Sequence, residues 1–194
     1  TPTFSVHYQG REDYIGGAGI VAQHLRAAGA DVTFSTLLGN DHLKDFVIDG
    51  LTTSGIRIIP IIDSTRPTIN KNVIIADNYR LLKIDTLDNR SLSGHMLDQM
   101  IDAIRVTSTD AVVFSDFRHG IFNRATISKL IAAIPSSVFR VADSQVATRW
   151  GNITEFHKFD LITPNEREAR FALADQDSTV GTLAGMLKEK TKCH

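Results

Sequence analysis

Apolar and polar positions alternate between two periods along the chain, and the switches between them predict its elements. Phe4, Val6 and Tyr8 alternate with Ser5, His7 and Gln9, which predicts a half-buried strand over 4–9. From Ala18 the period changes. Val21, Leu25 and Ala28 share a stripe, which predicts a first helix over 18–28 ending at Gly29. Val32 to Leu38 is a short β-rich run ending at Gly39. Asn40 or Asp41 can cap a second helix with Leu43, Phe46, Val47 and Leu51 inward, stopped by Ser54-Gly55.

From Arg57 the pattern is strand only: 58–62 with Pro60 at an edge, 72–76, a turn at Asp77-Asn78, then 81–84. This block interrupts the β/α alternation and reads as a subdomain or lid. Alternation then resumes: a helix over 92–104, a buried strand at 111–114, a helix over 124–134 stopped by Pro135, strands at 138–142 and 161–162, and a last helix from about Val180. Thr163-Pro164-Asn165-Glu166 predicts a helix start, with Thr163 as N-cap, Pro164 at the first position and Glu166 closing a capping box. Short buried strands alternating with amphipathic helices predict a three-layer α/β fold with a mostly parallel sheet and a small β-lid.

Composition narrows the partners. The 194 residues carry a formal net charge of −1, so no global field draws nucleic acid or an acidic membrane. No aromatic-plus-basic pattern points to nucleic acid, and no apolar run approaches the roughly 20 residues of a membrane helix. The single cysteine, Cys193, excludes an internal disulfide framework and fits a reducing, cytoplasmic setting. The seven histidines show no metal spacing. Neither a Walker loop nor a dinucleotide fingerprint is present.

The candidate chemistry lies at turns. Gly16-Gly17-Ala18-Gly19 opens the first helix, where missing Cβ atoms and unpaired N–H groups let a ligand approach the backbone. By itself, a glycine cluster of this kind is more often an empty turn. In parallel sheets ligands bind beyond the carboxyl ends of the strands, and Asp116, Asp143 and the Asn165/Glu168 pair stand at such ends. Asn165 and Glu168 share a face of a first helical turn and offer oxygens of the kind Mg²⁺ takes, directly or through water; capping with a solvated acid explains them equally well. Asp116, followed by Phe117-Arg118-His119-Gly120, is either a ligand contact or a turn former. Lys71 and Arg66 in the strand block are ordinarily solvated cations.

Taken together, Gly16 to Ala22, Gly29-Ala30-Asp31-Val32 and Leu38-Gly39-Asn40-Asp41 resemble the N-terminal signature of the ribokinase-like, PfkB-type carbohydrate kinases. The likeness covers nearly the whole chain. It is similar in particular to the heptose-phosphate kinase branch, the kinase half of ADP-heptose synthesis. Arg66-Pro67-Thr68 with Lys71, residues 81–85, Phe114 to Phe117 with Gly120, and residues 161–165 with Glu168 carry that closer match.

The resemblance implies ATP-dependent phosphorylation of a sugar or sugar phosphate. It implies a partial kinase domain over 1–194 with lid segments at about 4–15 and 57–85. Gly16, Gly17, Lys71, Arg66 and Asp116 would contact the sugar; Asp143, Asn165 and Glu168 would face nucleotide phosphates; Asn165 and Glu168 would hold Mg²⁺ through water. A homodimer through the lid is implied as well. Ile20 stands where the family usually has Asn, and Asp143-Ser144-Gln145 replaces Asp-Pro-Lys. The Gly-Ala-Gly-Asp motif that supplies the catalytic base is absent and is expected beyond His194, as the first strand is before Thr1. No catalytic residue is therefore assigned, and this chain alone is expected to be inactive. A nucleoside or other small-molecule kinase of the same fold, and a non-catalytic sugar-binding or interaction domain, remain alternatives.

Overall fold

The computed structural model describes residue 3 and residues 5–145 and 153–193. Helix α1 (Gly17–Ala27) leads to strand β1 (Thr33–Gly39), helix α2 (His42–Thr53) and strand β2 (Arg57–Asp63). Strands β3 (Asn70–Ala76) and β4 (Tyr79–Thr86) follow, then α3 (Gly94–Val106), β5 (Ala111–Asp116), α4 (Arg124–Ala133) and β6 (Phe139–Ser144). A 3-10 turn at Ile153–Glu155 precedes β7 (Leu161–Ile162), α5 (Glu166–Leu173) and α6 (Val180–Thr191).

Three ladders organise these elements. β1 pairs with β2 in parallel, β5, β6 and β7 form a parallel set in that order, and β3 pairs with β4 antiparallel. Parallel strands joined through helices are the expected α/β architecture. The strand block divides, however. β2 registers with β1 from Thr33↔Arg57 to Gly39↔Asp63, so it belongs to the parallel part, and only β3–β4 forms a hairpin. Pro60 registers with Thr36, and among the described residues β2 has one ladder partner, so the proline lies on an edge strand as expected. Asp77 and Asn78 both take positive φ, 47° and 65°, the backbone of a two-residue hairpin turn whose twist matches its strands.

The strand predicted over 4–9 is not formed. Phe4 lies outside the described residues, and 5–16 have no regular structure. Val6 and Tyr8 are exposed, so the alternating pattern there has neither a ladder partner nor a core to bury it.

Two apolar clusters hold the elements. The larger joins α3, α4, α6 and the β5–β6 strands around Phe114, Phe156 and Phe159. Phe114 and Phe159 lie 5.6 Å apart, as do Phe156 and Phe159, with tilted or edge-on rings that suit the aromatic quadrupole. The smaller cluster is Ala22, Leu51 and Ile56 beneath α1 and α2, joined by Ile15. A Cβ on Gly19 would meet Ile15 at 2.5 Å, and one on Gly50 would meet it at 2.7 Å. Gly19 is therefore a packing position that lets Ile15 seat between the two helices. Phe46, expected inward, is instead exposed.

Candidate active site at the strand ends

The site is built on the loop after β5. Asp116, the last residue of that strand, is 2% exposed. Its carboxylate accepts from the Arg118 N–H at 2.7 Å, Arg118 Nη1 at 3.1 Å and the Ser144 hydroxyl at 2.8 Å. This differs from the expected substrate contact: the carboxylate is occupied by protein donors, and its effect is to fix Arg118 and tie β5 to β6. Arg118 takes φ +65° to complete the turn. Gly120 follows at φ +92°, and a Cβ there would lie 2.1 Å from the Arg90 carbonyl. The loop can sit against the 89–90 segment only because Gly120 has no side chain.

That segment is also the anchor of Arg66. Arg66 is buried; its Nε donates to Asp63 Oδ2 at 2.6 Å, and its Nη1 and Nη2 donate to the Arg90 and Ser91 carbonyls at 3.0 and 3.4 Å. Asp63 accepts from the Thr65 hydroxyl and N–H as well; these bonds, with the Arg66 charge, outweigh burial and hold its carboxyl at about 2. The Arg66 guanidinium is thus engaged with the chain, where a ligand contact was expected. It clamps the root of the hairpin to the crossover between β4 and α3. Asp41 strengthens the same corner. Burial pushes its carboxyl up, but donors from Thr68, Lys44 and Leu43 hold it below its ordinary value.

Around this frame the sugar-side candidates gather. Gly17 has φ +54°, and a Cβ there would contact the Phe117 ring at 3.8 Å; Gly16, the N-cap of α1, has nothing within 4 Å of such an atom. Lys71 sits on β3 opposite Asp85, while the nearby Asp85 carboxylate pairs with Lys83 at 3.0 Å. Lys71 is exposed, and among the described residues it forms no ion pair. Its charge reaches His119. Burial and then Lys71 push the imidazole below its ordinary 6.5, against opposing pulls from Asp116 and Asp85. His119 Nδ1 lies 3.0 Å from Asn89 Oδ1. Gly17 and Lys71, 54 positions apart in sequence, are therefore both related to the 117–119 loop, Gly17 by packing beside Phe117 and Lys71 by its charge on His119. Neither Arg118 nor His119 was separable from a plain turn in the sequence. Their roles depend on Asp116 and Asn89, which only the fold brings to them.

The second group lies across the sheet. Ser115 registers with Asp143, and Asp116 with Ser144. Successive residues of a strand point to opposite faces, so Asp143 and Asp116 do not share a face. Asp143 Oδ1 accepts from the Thr163 hydroxyl at 3.1 Å. Thr163 is thereby drawn away from the helix, and Asn165 is the N-cap of α5 in its place. Asn165 Oδ1 accepts from the Glu168 N–H at 3.0 Å, and Glu168 Oε2 from the Asn165 N–H at 2.8 Å. The capping box is thus Asn165/Glu168, two positions after the predicted Thr163/Glu166. Glu168 is 7% exposed, not solvated.

These oxygens were the expected Mg²⁺ ligands. The single side-chain oxygen of Asn165 and one of the two of Glu168 are already bonded to backbone, and among the described residues no three acidic, histidine or cysteine side chains converge as a metal site. The donor set fits Mg²⁺ held at one remove through its own water, the arrangement this ion favours, and does not fit a protein cage.

The pfkB family carbohydrate kinase profile matches residues 5–194. The chain is 30% identical over 166 residues to the bifunctional protein HldE of Trichlorobacter lovleyi, covering 84% of this chain and 33% of that protein. It is 26% identical over 199 residues to HldE of Helicobacter hepaticus, covering 99% and 40%. The chain thus spans well under half the length of these relatives. Among solved structures it is similar to the tetrameric inhibited form of phosphofructokinase-2 from Escherichia coli, with a TM-score of 0.72, 13% identity, and coverage of 97% of this chain and 65% of that one. Ribokinase from Giardia lamblia aligns with a TM-score of 0.61, 17% identity, and coverage of 82% and 49%. The chain belongs to the pfkB family of carbohydrate kinases, with the ribokinase-like α/β fold.

Proposed function

From membership of the pfkB carbohydrate kinases, we propose that the protein serves ATP-dependent phosphorylation of a sugar phosphate of the heptose-phosphate class. The supporting observation is that Gly17 packs beside Phe117 while the Lys71 charge acts on His119 of the same loop. Open backbone at Gly16-Gly17 suits close approach of sugar hydroxyls, and an unpaired Lys71 suits the phosphate already on the sugar. Asp116 acts through Arg118, and Arg66 through the corner it clamps. On the far side, the start of α5 with Asp143 faces the nucleotide phosphates. Asn165 and Glu168 would hold Mg²⁺ through water, and the ion would there neutralise phosphate charge. The chain's own part is positioning and electrostatics, which phosphoryl transfer chiefly requires.

No Gly-Ala-Gly-Asp occurs in these 194 residues, so we assign no general base to them and expect no turnover from this chain alone. An ATP-consumption assay with a heptose 7-phosphate tests this, and clear turnover overturns it. Calorimetry with the same sugar phosphate and with a nucleoside tests the substrate class; a nucleoside preference overturns the assignment. Ile20, 44% exposed near the start of α1, favours a second reading, a sugar-binding domain without catalysis. Turnover by any longer form of the protein that contains these residues would exclude it.

We further propose a homodimer through the hairpin. Ile74 registers with Leu82 and Asn72 with Ile84, so Ile74, Leu82 and Ile84 share one face, and all three are exposed. Lys71, Lys83 and Asp85 occupy the other face. One side of the hairpin is thus suited to the site and the other to an apolar partner surface.

A further inference from the structure

His119 stands out among the groups around this site because its orientation is fixed while one ring nitrogen is left over. Asn89 Oδ1 can only accept, so the 3.0 Å contact requires the proton on Nδ1. In the neutral ring Nε2 then carries a lone pair, and among the described residues it makes no hydrogen bond. The loop that carries the ring is held from three directions: Asp116 grips Arg118, Gly120 is seated against Arg90, and Phe117 lies beside Gly17. We propose that His119 is a specificity-determining residue of the sugar site, presenting Nε2 as an acceptor to a sugar hydroxyl while neighbouring Lys71 takes the anionic end.

This rests on the sugar-phosphate reading above. The charges acting on His119 are Lys71 from β3, Asp85 from β4 and Asp116 from β5, and its neutral partner is Asn89 on the crossover; Arg118 on its own loop is paired with Asp116. Burial and Lys71 prevail, so the ring is neutral near pH 7 and able to accept. As pH falls below the lowered value, Nε2 gains a proton and the acceptor is lost. Contact with a hydroxyl should therefore weaken with acid, the opposite of what a phosphate-binding imidazolium would show.

The test is calorimetry on the full chain with D-glycero-D-manno-heptose 7-phosphate and the unphosphorylated heptose. H119A should weaken binding of the 7-phosphate about tenfold at pH 7.5, the size of one lost hydrogen bond at a buried partner. H119Q, which restores an acceptor, should bind within about threefold of wild type, and H119F, which keeps a ring without one, should match H119A. The Gln–Phe comparison decides the matter should the alanine variant fold poorly. As pH is lowered from 7.5 to below the ordinary histidine range, the wild type should lose affinity for the unphosphorylated heptose while H119Q does not. Binding by H119A and H119F equal to wild type overturns this inference and leaves the sugar-site reading intact. Absence of binding of either probe to the wild type overturns both.

Discussion

Gly16, Gly17, Gly19 and Gly120 look alike in a sequence, yet each faces a different constraint. Gly16 has φ −118° and open space, so G16A should stay within about 0.5 kcal/mol of wild type. Gly17 at φ +54° is in the left-handed region, and G17A should cost about 1 kcal/mol. Gly120 combines positive φ with a carbonyl at 2.1 Å from any Cβ, and G120A should cost about 3 kcal/mol. Urea unfolding of the three variants checks that order; equal effects would sink it. Asp63 gives a pH prediction at the same scale. Its folded value of about 2 lies below its ordinary 3.8, so the stability it contributes is complete above the ordinary value and is lost as pH falls through about 2. D63N should lower stability at pH 7 and flatten the acid limb of the stability curve between about pH 4 and 2. R66A, which strands a buried carboxylate, should cost about 3 kcal/mol at pH 7.

At the scale of elements, α5 shows how a competing bond moves a helix start. Thr163 had the right spacing to cap, but its hydroxyl is engaged by Asp143, and Asn165 with Glu168 closes the box instead. N165A should therefore lower stability by about 1 kcal/mol, while T163A should leave the helix start in place and cost less. E168Q preserves an acceptor for the Asn165 N–H and should be milder than E168A. Chemical denaturation of the four variants reads this out; a larger loss in T163A than in N165A would restore the earlier start. The same pair shows why a helix-start carboxylate is ambiguous in sequence: Glu168 is buried and serves the cap with one oxygen, a role that spacing alone does not separate from ion binding.

For the whole molecule, the apolar face of the β3–β4 hairpin matters most. Ile74, Leu82 and Ile84 lie on an independent antiparallel ladder whose opposite face carries charge. A second copy would bury that face. Size-exclusion chromatography with light scattering should find a dimer, and L82K with I84K should give a monomer whose heptose 7-phosphate affinity is within a fewfold of wild type. A wild-type monomer at working concentrations would overturn the lid interface.

The sequence by itself determined the α/β class, every helix within a few residues, and the family, because these depend on local period, turn chemistry and motif spacing. It also singled out Gly17 and Lys71, which the fold relates to the loop after β5, Gly17 by packing beside Phe117 and Lys71 by its charge on His119. It misjudged what depends on a distant partner. The 4–9 pattern alternates like a strand yet has no ladder beside it, and 57–63 reads like the strands after it yet pairs in parallel with β1. The donors and acceptors around Arg66 and Asp116 were likewise invisible in the sequence, because Asp63, the 90–91 carbonyls and Ser144 reach them only in the fold. His119 was one residue of a turn until tertiary structure set Asn89 against one nitrogen and Lys71 within electrostatic reach. Hydrophobic period is written along the chain and can be read there. The partner of a buried polar group is chosen in three dimensions, where the cost of leaving it unpaired is imposed.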